Sequence, residues 1–254
     1  MVESPIVLCV GGHDPTGGAG IQADIETVRA LGGRAITIVT ALTEQDTSNV
    51  TRVDPTPTAT FSRTLGTLLD DIRPDAVKLG LLAGAEQVET LAIHLSTLDV
   101  PVVLDPVLAA GGGFAFSNTD IIGRMRERLL PQTTLATPNR AEARQLTGEQ
   151  HTDRAAAALI ALGARAVLIT GADEAGGKEL ENQLWLGTSA VTRYTWPLLP
   201  GSYHGSGCTL ASACAIGLAG GMPLASAVAE AQAFTHQALS RSTSPGQGQR
   251  LPTR

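Results

Sequence analysis

The sequence predicts an α/β protein with a mostly parallel central sheet, and three observations support that fold class. Strand-like and helix-like segments alternate along the 254 residues, most strand-like segments are continuous apolar runs, and only 3% of the residues are aromatic. The alternation implies parallel strands joined by right-handed crossovers. Continuous apolar runs are typical of strands covered on both faces. A core with so few aromatic side chains is built from Ala, Val, Leu and Ile, which suits packed layers.

Six strands are predicted for the parallel part of the sheet, and each is a short apolar run that ends at a polar or glycine-rich segment. They cover residues 6–11, 35–41, 76–79, 102–105, 134–136 and 166–170. The helices of this part are predicted near residues 18–32, 58–72, 86–97, 117–130, 139–147 and 152–163.

The last third of the chain has a different pattern. Residues 183–186 and 191–196, joined by "GTSA", predict an antiparallel pair at one edge of the sheet. Two helices are predicted near 206–219 and 223–240, because Met222-Pro223 places a proline near the first turn of the second one. The polar segment 241–254 is predicted to be a flexible tail. No long linker interrupts the chain, so residues 1–254 are predicted to form one domain.

Composition and charge exclude several classes of function. The net charge is −6 and no long run of Lys or Arg is present, so neither nucleic acid nor an anionic membrane surface is an expected partner. No run of about 18 apolar residues predicts a membrane span. The three cysteines, Cys9, Cys208 and Cys214, form no CxxC pair. A reduced, cytoplasmic location is therefore expected.

Polar and glycine-rich segments follow every strand of the predicted parallel sheet. In such a sheet, ligands bind outside the carboxyl ends of the strands. The segments in chain order are "GGHDPTGGAG", "LTEQDT", "GLLAG", "DPVLAAGGG", "TPNRAE" and "TGADEAGG". Because these ends meet at one edge of the sheet, the sequence predicts a ligand site there.

The segment "HGSGCTL", residues 204–210, stands where a helix is predicted to begin. One interpretation is a turn followed by an N-cap, with Ser206 capping the first free N–H groups. The other is an anion site, in which the bare amides of Gly205, Ser206 and Gly207 face a negative group. Cys208 lies beside these amides, where the helix start is expected to lower the pKa of its thiol. His204 more often caps or faces water and is not assigned a role.

The segment "GGHDPTGGAGIQAD", residues 11–24, has two functional interpretations. Residues 18–23 fit the dinucleotide fingerprint G-x-G-x-x-[GA], but six residues separate this match from the strand, whereas the fingerprint needs its first glycine in the tight turn directly after it. The other interpretation is a loop folded over a small ligand, with the carboxylate of Asp24 pointing at it.

Two further motifs carry carboxylates at strand ends. Asn139 and Glu142 in "TPNRAE" are three residues apart on one helix face, which fits a capping box and also a site for hydrated Mg²⁺ and its phosphates. Asp105 in "LDPVL" ends a buried strand before a proline. A carboxylate there is costly unless it is paired, hydrated or near a metal ion.

Taken together, these motifs resemble those of the ribokinase-like superfamily, and within it the hydroxymethylpyrimidine/phosphomethylpyrimidine kinases of thiamine biosynthesis. The matching segments, in order between residues 6 and 240, are "DPTGGAGIQAD", "ALTEQDT", "KLGLL", "LDPVL", "TPNRAE" and "HGSGCTLASA". The resemblance implies a three-layer α/β/α fold, ATP with Mg²⁺, and transfer of the γ-phosphoryl group to a hydroxymethyl oxygen. It also implies a homodimer.

The resemblance further implies a role for each matching residue. Asp24 and Gln45 would hydrogen-bond the aminopyrimidine, and its ring would be lined by Gly12, Ala19, Leu81 and Val107. Mg²⁺ and the phosphates would be organised by Asp105, Asn139 and Glu142, with Asp105 and Glu142 nearest the metal. The amides of the anion hole would be those of Gly205, Ser206 and Gly207. Cys208 stands where many ribokinase relatives carry an aspartate base and where this family carries a cysteine.

The chain departs from the family pattern at several positions. Thr170 replaces the lysine usual after the sixth strand, which removes a phosphate contact at the ATP site. His13 replaces a serine, and Leu81 stands where a methionine is common in the pocket.

Three alternatives remain open at this stage: a pyridoxal-type kinase of the same fold, a nicotinamide-dependent oxidoreductase, and a non-catalytic pyrimidine-binding module. The first would turn over pyridoxal, the second would bind a nicotinamide nucleotide without using ATP, and the third would bind the pyrimidine without turnover.

Overall fold

A nine-stranded sheet forms the middle of the molecule in the computed structural model, which describes residues 4–110, 113, 114, 116–171, 177–187 and 190–254. The strands are β1 (Ile6–His13), β2 (Arg34–Gln45), β3 (Val50–Pro55), β4 (Ala76–Leu79), β5 (Val102–Leu104), β6 (Leu135–Ala136), β7 (Ala166–Ile169), β8 (Glu179–Leu186) and β9 (Ala190–Pro197). Their order across the sheet is β3-β2-β1-β4-β5-β6-β7-β8-β9. The pairs from β2 to β7 are parallel, and β3, β8 and β9 pair antiparallel to their neighbours.

Helices cover both faces of this sheet. They are α1 (Gly20–Ala30), α2 (Thr58–Asp71), α3 (Ala85–Leu95), α4 (Thr119–Arg124), α5 (Arg140–Thr147), α6 (Thr152–Ala161), α7 (Ser206–Ala219) and α8 (Leu224–Ser240). A π-helical turn (Met125–Leu129) and a 3₁₀ turn (Leu130–Gln132) extend α4. None of the helices in the described part of the chain is long and apolar enough to cross a membrane.

The two faces of β1 show why the apolar runs form central strands. Successive side chains of a strand point to opposite faces. Leu8 and Val10 pack into the layer of α2 to α6, whereas Val7 and Cys9 pack into the layer of α1, α7 and α8. The structure therefore confirms the predicted three-layer α/β/α arrangement with a mostly parallel sheet.

The structure differs from the prediction at the edge beside β2. β2 continues to Gln45 instead of ending at residue 41, and β3, which was not predicted, pairs with it. The segment "DTSN" between them is polar, and most of β3 is exposed, so β3 lacks the apolar run that marks the central strands. The predicted antiparallel pair at the other edge is present as β8 and β9, although part of its "GTSA" connection lies outside the described residues.

The segment 241–254 also differs from the prediction of a flexible tail. Thr243 pairs with Leu251 in an antiparallel bridge, and Arg250 pairs with Tyr203. The amide of Gln249 donates to the carbonyl of Thr47 in the β2–β3 connection over 2.7 Å. These partners come from distant parts of the chain, so the polar composition of the tail does not reveal them.

Candidate active site

A cavity of about 660 Å³ lies at the carboxyl ends of the parallel strands, between them and α7, α8 and β9. Thirteen of the fourteen predicted site residues line it: Gly12, Ala19, Gln45, Leu81, Asp105, Val107, Asn139, Glu142, Thr170, Gly205, Ser206, Gly207 and Cys208. The tertiary structure thus brings together residues that are up to 196 positions apart in the chain, from Gly12 to Cys208. The remaining residue, Asp24, is not on the cavity wall.

Asp24 lies behind the wall instead of facing a ligand, which corrects its predicted position. Its two carboxylate oxygens lie 2.8 and 3.0 Å from Nζ of Lys78, and both side chains are fully buried. The hydroxyl of Ser212 on α7 donates to the same carboxylate over 2.7 Å. Because Lys78 itself lines the cavity, Asp24 holds a positive charge at the site without lining the cavity itself.

The ammonium of Lys78 stays charged in this environment. Burial disfavours the charged form, but the negative charges of Asp24 and Asp105 and the hydrogen bond to Asp24 outweigh it and raise the pKa of Lys78. Gly80 makes room for the group, since a Cβ at that position would lie 2.8 Å from Nζ. The structure therefore places a permanent buried cation beside the cavity.

Asp105 directs a carboxylate toward the start of α7. Burial raises its pKa to about 6, and the charge of Lys78 opposes that shift. Oδ2 of Asp105 is buried and has no hydrogen-bond partner in the described structure. A buried polar atom without a partner usually binds a ligand, a proton or an ion. Oδ2 of Asp105 is therefore suited to contact a group that binds in the cavity.

The thiol of Cys208 behaves differently from the prediction. Although it lies in the first turn of α7, burial raises its pKa to about 12, and Lys78 offsets this only in part. The thiol donates a hydrogen bond to Asp105, and its sulfur accepts one from the amide of Gly20. The expected lowering by the helix start is therefore wrong here, because desolvation and the neighbouring carboxylates outweigh it.

The N-terminus of α7 bears on the two interpretations of "HGSGCTL". Gly205 is the N-cap residue, and no side chain caps the helix. Ser206 therefore does not act as the simple cap. The first N–H groups of a helix lack partners within it, and Ser206 and Gly207 line the cavity, so the arrangement is compatible with the anion-site interpretation.

Gly205→Ala is expected to lower the stability of the protein and its turnover together. Gly205 has φ of +78°, and a Cβ at that position would collide with the carbonyl oxygen of Gly18. Left-handed backbone is strained for alanine, and the clash forces the two glycine loops apart. Gly221→Ala is the matched control, because it has φ of +79° but open space around it. Equal losses of unfolding midpoint and of turnover in both variants would contradict this prediction.

Asn139 and Glu142 form a capping box at the start of α5. The amide of Glu142 donates to Oδ1 of Asn139 over 2.8 Å, and the amide of Asn139 donates to Oε2 of Glu142 over 2.9 Å. Both residues also line the cavity, so the cap and a role in ligand binding are compatible. Thr170 follows β7, bridges to Asn139 and lies on the same wall.

Lys78, Asp14 and His204 are among the lining residues that were not assigned from the sequence. Oδ2 of Asp14 accepts from the amide of Ala19 over 2.7 Å and pairs with Nε2 of His204 over 2.8 Å. Burial opposes its ionisation, but the bonds from His204 and Thr16 keep the pKa of Asp14 below its usual value. The feature of the sequence that could have identified Lys78 as a site residue is its position inside a short, otherwise apolar strand. No local pattern reveals that Asp14 and His204 meet.

The four residues predicted to line a ring pocket, Gly12, Ala19, Leu81 and Val107, all line the cavity, and they come from separate segments of the chain. A Cβ on Gly12 would lie 2.8 Å from Cδ2 of Leu81, so the absence of a side chain at Gly12 allows the leucine to pack against the loop. The carbonyl of Leu81 accepts a hydrogen bond from Thr40 over 2.6 Å, which fixes the turn after β4.

Comparison with known proteins identifies what this chain resembles. The phosphomethylpyrimidine kinase family matches residues 14–253. The hydroxymethylpyrimidine/phosphomethylpyrimidine kinase of Streptomyces coelicolor is 40% identical over 249 residues, which are 94% of this chain and 90% of that protein.

Two solved structures share the fold. The pyridoxal kinase from Staphylococcus aureus, in complex with AMP-PCP and pyridoxal, superposes with a TM-score of 0.89 at 28% identity, covering 98% of this chain and 93% of that one. The phosphomethylpyrimidine kinase from Clostridium difficile 630 gives 0.80 at 27% identity, covering 92% and 99%.

These similarities extend over nearly the whole chain and include the elements that carry the buried Lys78–Asp24 pair, Asp105 and the uncapped start of α7. With the sheet order and the cavity described above, they establish that the chain belongs to the hydroxymethylpyrimidine/phosphomethylpyrimidine kinase family, phosphotransferases of thiamine biosynthesis with the ribokinase-like fold.

Proposed function

We propose that this chain uses Mg²⁺-ATP to phosphorylate the hydroxymethyl oxygen of 4-amino-5-hydroxymethyl-2-methylpyrimidine, and also the phosphate of the resulting monophosphate. The observation that carries the proposal is the arrangement of one cavity: a ring pocket at Gly12, Leu81 and Val107, and beside it Lys78, Asp105 and the free amides of α7. Such a site can hold a neutral heterocycle next to groups that stabilise the negative charge of a phosphoryl group in transfer.

The chemistry of the site follows from where charge develops. A phosphoryl group in transfer spreads its charge over three equatorial oxygens, so positioning and electrostatics dominate the rate. The amides of Ser206 and Gly207 are donors of the oxyanion-hole type, each worth roughly 10²–10³ in rate. The fixed charge of Lys78 stabilises the same region, and Asp105 can accept the proton of the substrate hydroxyl.

Mg²⁺ fits the residues that are present. Among the described residues, no group of three or more His, Cys, Asp or Glu forms a site of its own for a metal ion. Mg²⁺ bound with phosphates needs only one or two protein carboxylates, and the orphaned Oδ2 of Asp105 meets that requirement, with Glu142 on the same wall. When bound, the ion would neutralise phosphate charge.

We place the nucleotide at the end of the cavity formed by β8, β9 and α8, next to Thr170. The Staphylococcus aureus neighbour binds AMP-PCP, and this end offers a flat surface, the indole of Trp196 stacked on His236 at 5.2 Å. Gln232 anchors the indole by accepting from its Nε1 over 3.1 Å. Thr170 in place of lysine predicts a raised KM for ATP compared with relatives that carry the lysine.

The direct test is ADP release by the purified protein with Mg²⁺-ATP and the hydroxymethylpyrimidine. Pyridoxal is assayed in parallel, because a pyridoxal kinase has the same fold. Higher kcat/KM for the pyrimidine supports the proposal, and higher kcat/KM for pyridoxal contradicts it. Binding of the pyrimidine in calorimetry without ADP release would also contradict it and would favour a non-catalytic module. Phosphomethylpyrimidine as substrate tests the second step.

Replacing Cys208 by alanine is expected to leave measurable turnover. Cys208 occupies the position of the aspartate base of ribokinase relatives, a role worth roughly 10²–10⁴ in rate. Because burial raises the pKa of its thiol to about 12, because Asp105 can accept the proton instead, and because the hydroxyl loses its proton late in a loose transition state, the loss should fall near the lower limit. The pKa of about 12 also predicts slow alkylation of Cys208 by iodoacetamide at pH 8, orders of magnitude below a free thiol. Complete loss of turnover with intact pyrimidine binding would contradict this prediction.

The homodimer implied by the resemblance and the cytoplasmic location expected from the cysteines remain predictions. Sedimentation velocity of the purified protein tests the first, because the mass of one chain is 26.2 kDa.

A further inference from the structure

The side chain of Arg254 is buried against the two glycine loops at the edge of the active site. Only 1% of it is exposed, although it belongs to the polar tail segment. Its guanidinium donates to the carbonyls of Gly17 and Gly18 and to Oγ1 of Thr209, the last over 2.9 Å. It also pairs with Glu26, a carboxylate that is 55% exposed. Five donors in a rigid planar group can serve several acceptors at once.

One branch of these contacts fixes the loop after β1. The carbonyl of Gly18 and the amide of Ala19 belong to one planar trans peptide. The carbonyl accepts from Arg254, and the amide donates to Oδ2 of Asp14 over 2.7 Å. Because Ala19 lines the cavity, this peptide is held at both ends where the loop borders the site.

The other branch reaches the start of α7. Oγ1 of Thr209 accepts from Arg254 and donates to the carbonyl of Gly205 over 2.8 Å. The carbonyl of Gly205 shares its planar peptide with the N–H of Ser206. Fixing the carbonyl therefore fixes the direction in which the Ser206 amide points.

The two branches meet at a tight backbone contact. Gly205 packs so closely against the carbonyl of Gly18 that a Cβ would collide with its oxygen. Arg254 hydrogen-bonds that same oxygen and, through Thr209, the Gly205 peptide. Arg254 thus holds the backbone on both sides of the Gly18–Gly205 contact, although it does not line the cavity itself.

We propose that Arg254 is a positioning residue that orients the Ser206 amide of the anion hole and holds the loop 14–20 against it. The inference rests on the proposed phosphoryl transfer for its kinetic effect but not for its structural effect. It predicts a larger effect on kcat than on pyrimidine binding, because the anion hole serves the transferring group, whereas Ala19 alone of the four predicted ring-pocket residues lies on the loop that Arg254 holds.

The test begins with Arg254→Met, which keeps an unbranched apolar stem and removes the guanidinium donors. We expect kcat to fall about 10- to 100-fold with the KM for the pyrimidine changed less than about twofold, since displaced donors cost rate more than ground-state binding. Arg254→Lys retains one donor group and should recover part of kcat. Glu26→Gln is the control, because it removes the exposed partner and leaves both branches intact; its kcat should equal that of the wild type.

A double-mutant cycle tests the route through Thr209. Thr209→Val removes the hydroxyl that links Arg254 to Gly205, whereas Thr209→Ser keeps it. If Arg254 acts on α7 through this hydroxyl, the effects on kcat of Thr209→Val and Arg254→Met should be less than additive. Additive effects, a fall caused by Glu26→Gln, or a rise in KM with unchanged kcat would each overturn the proposal.

Hydrogen exchange separates failure of this inference from failure of the proposed function. Without any substrate, Arg254→Met should speed amide exchange in peptides covering 14–20 and 204–209 and leave β4 unchanged. If the wild type does not phosphorylate the pyrimidine but exchange changes in this way, only the proposed function fails. If exchange in both loops equals that of the wild type, the positioning role is refuted.

Discussion

Lys78→Met is expected to lower the free energy of unfolding by ~3–5 kcal/mol and to remove most of the turnover. The substitution leaves the Asp24 carboxylate buried without its cation, which is the costly way to break such a pair. Ser212 alone cannot replace it, because one hydroxyl supplies one hydrogen bond. Urea unfolding followed by circular dichroism measures the first effect, and ADP release measures the second.

Two further variants sharpen the Lys78 prediction. Arg52→Met breaks an ion pair with Asp54 in which the arginine side chain is 66% exposed, and its unfolding midpoint should not move. Lys78→Met combined with Asp24→Asn removes both charges and should recover stability but not turnover. An unfolding midpoint for Lys78→Met equal to that of Arg52→Met would contradict the role assigned to the buried pair.

Asp105→Asn is expected to lower kcat roughly 10²–10³-fold while the protein remains folded. The amide has nearly the same shape but cannot accept the proton of a hydroxyl, and it is a weaker ligand for a cation. Since burial raises the pKa of this carboxyl to about 6, the acid form predominates below that pH. The kcat/KM of the wild type should therefore fall as the pH decreases through about 6, because kcat/KM reports groups of the free enzyme.

The matched control for Asp105 is Asp120→Asn at the start of α4, whose carboxylate is 64% exposed and far from the cavity wall. Its kcat and pH profile should equal those of the wild type. A wild-type level of turnover in Asp105→Asn would contradict the predicted loss of kcat. If kcat/KM of the variant fell at the same acidic pH as that of the wild type, the fall would belong to another group.

Much of the fold follows from local physical rules. Buried strands such as β4, with every side chain inside, need apolar runs, and helices between them need an apolar face, so both leave visible patterns. The edge strand β3 leaves none, because it has water on one side and few apolar contacts. The tail segment 241–254 likewise gains its order from partners in distant elements, including Thr47 and Tyr203.

For the site, the sequence was informative about which residues gather and less about what each one does. Strand ends of a parallel sheet meet at one edge, so thirteen of the fourteen predicted residues share the cavity. The direction in which a side chain points depends on its position on the helix and on the residues that pack behind it. In this structure the carboxylate of Asp24 points to Lys78 and does not reach the cavity wall. The pKa of Cys208 was mispredicted for the same reason: the helix start is a local feature, whereas desolvation depends on the whole surroundings.

The sequence by itself therefore determined the layers, the parallel order of strand and helix, the edge that carries the site and the family. Those features depend on apolar periodicity and on motifs that are contiguous in the chain. Only the tertiary structure decided the partners of buried charges, the pairing of Asp14 with His204, and the brace from Arg254 to the glycine loops. Contacts of this kind join residues as much as 237 positions apart, and no local pattern specifies which distant group will satisfy a buried donor or charge.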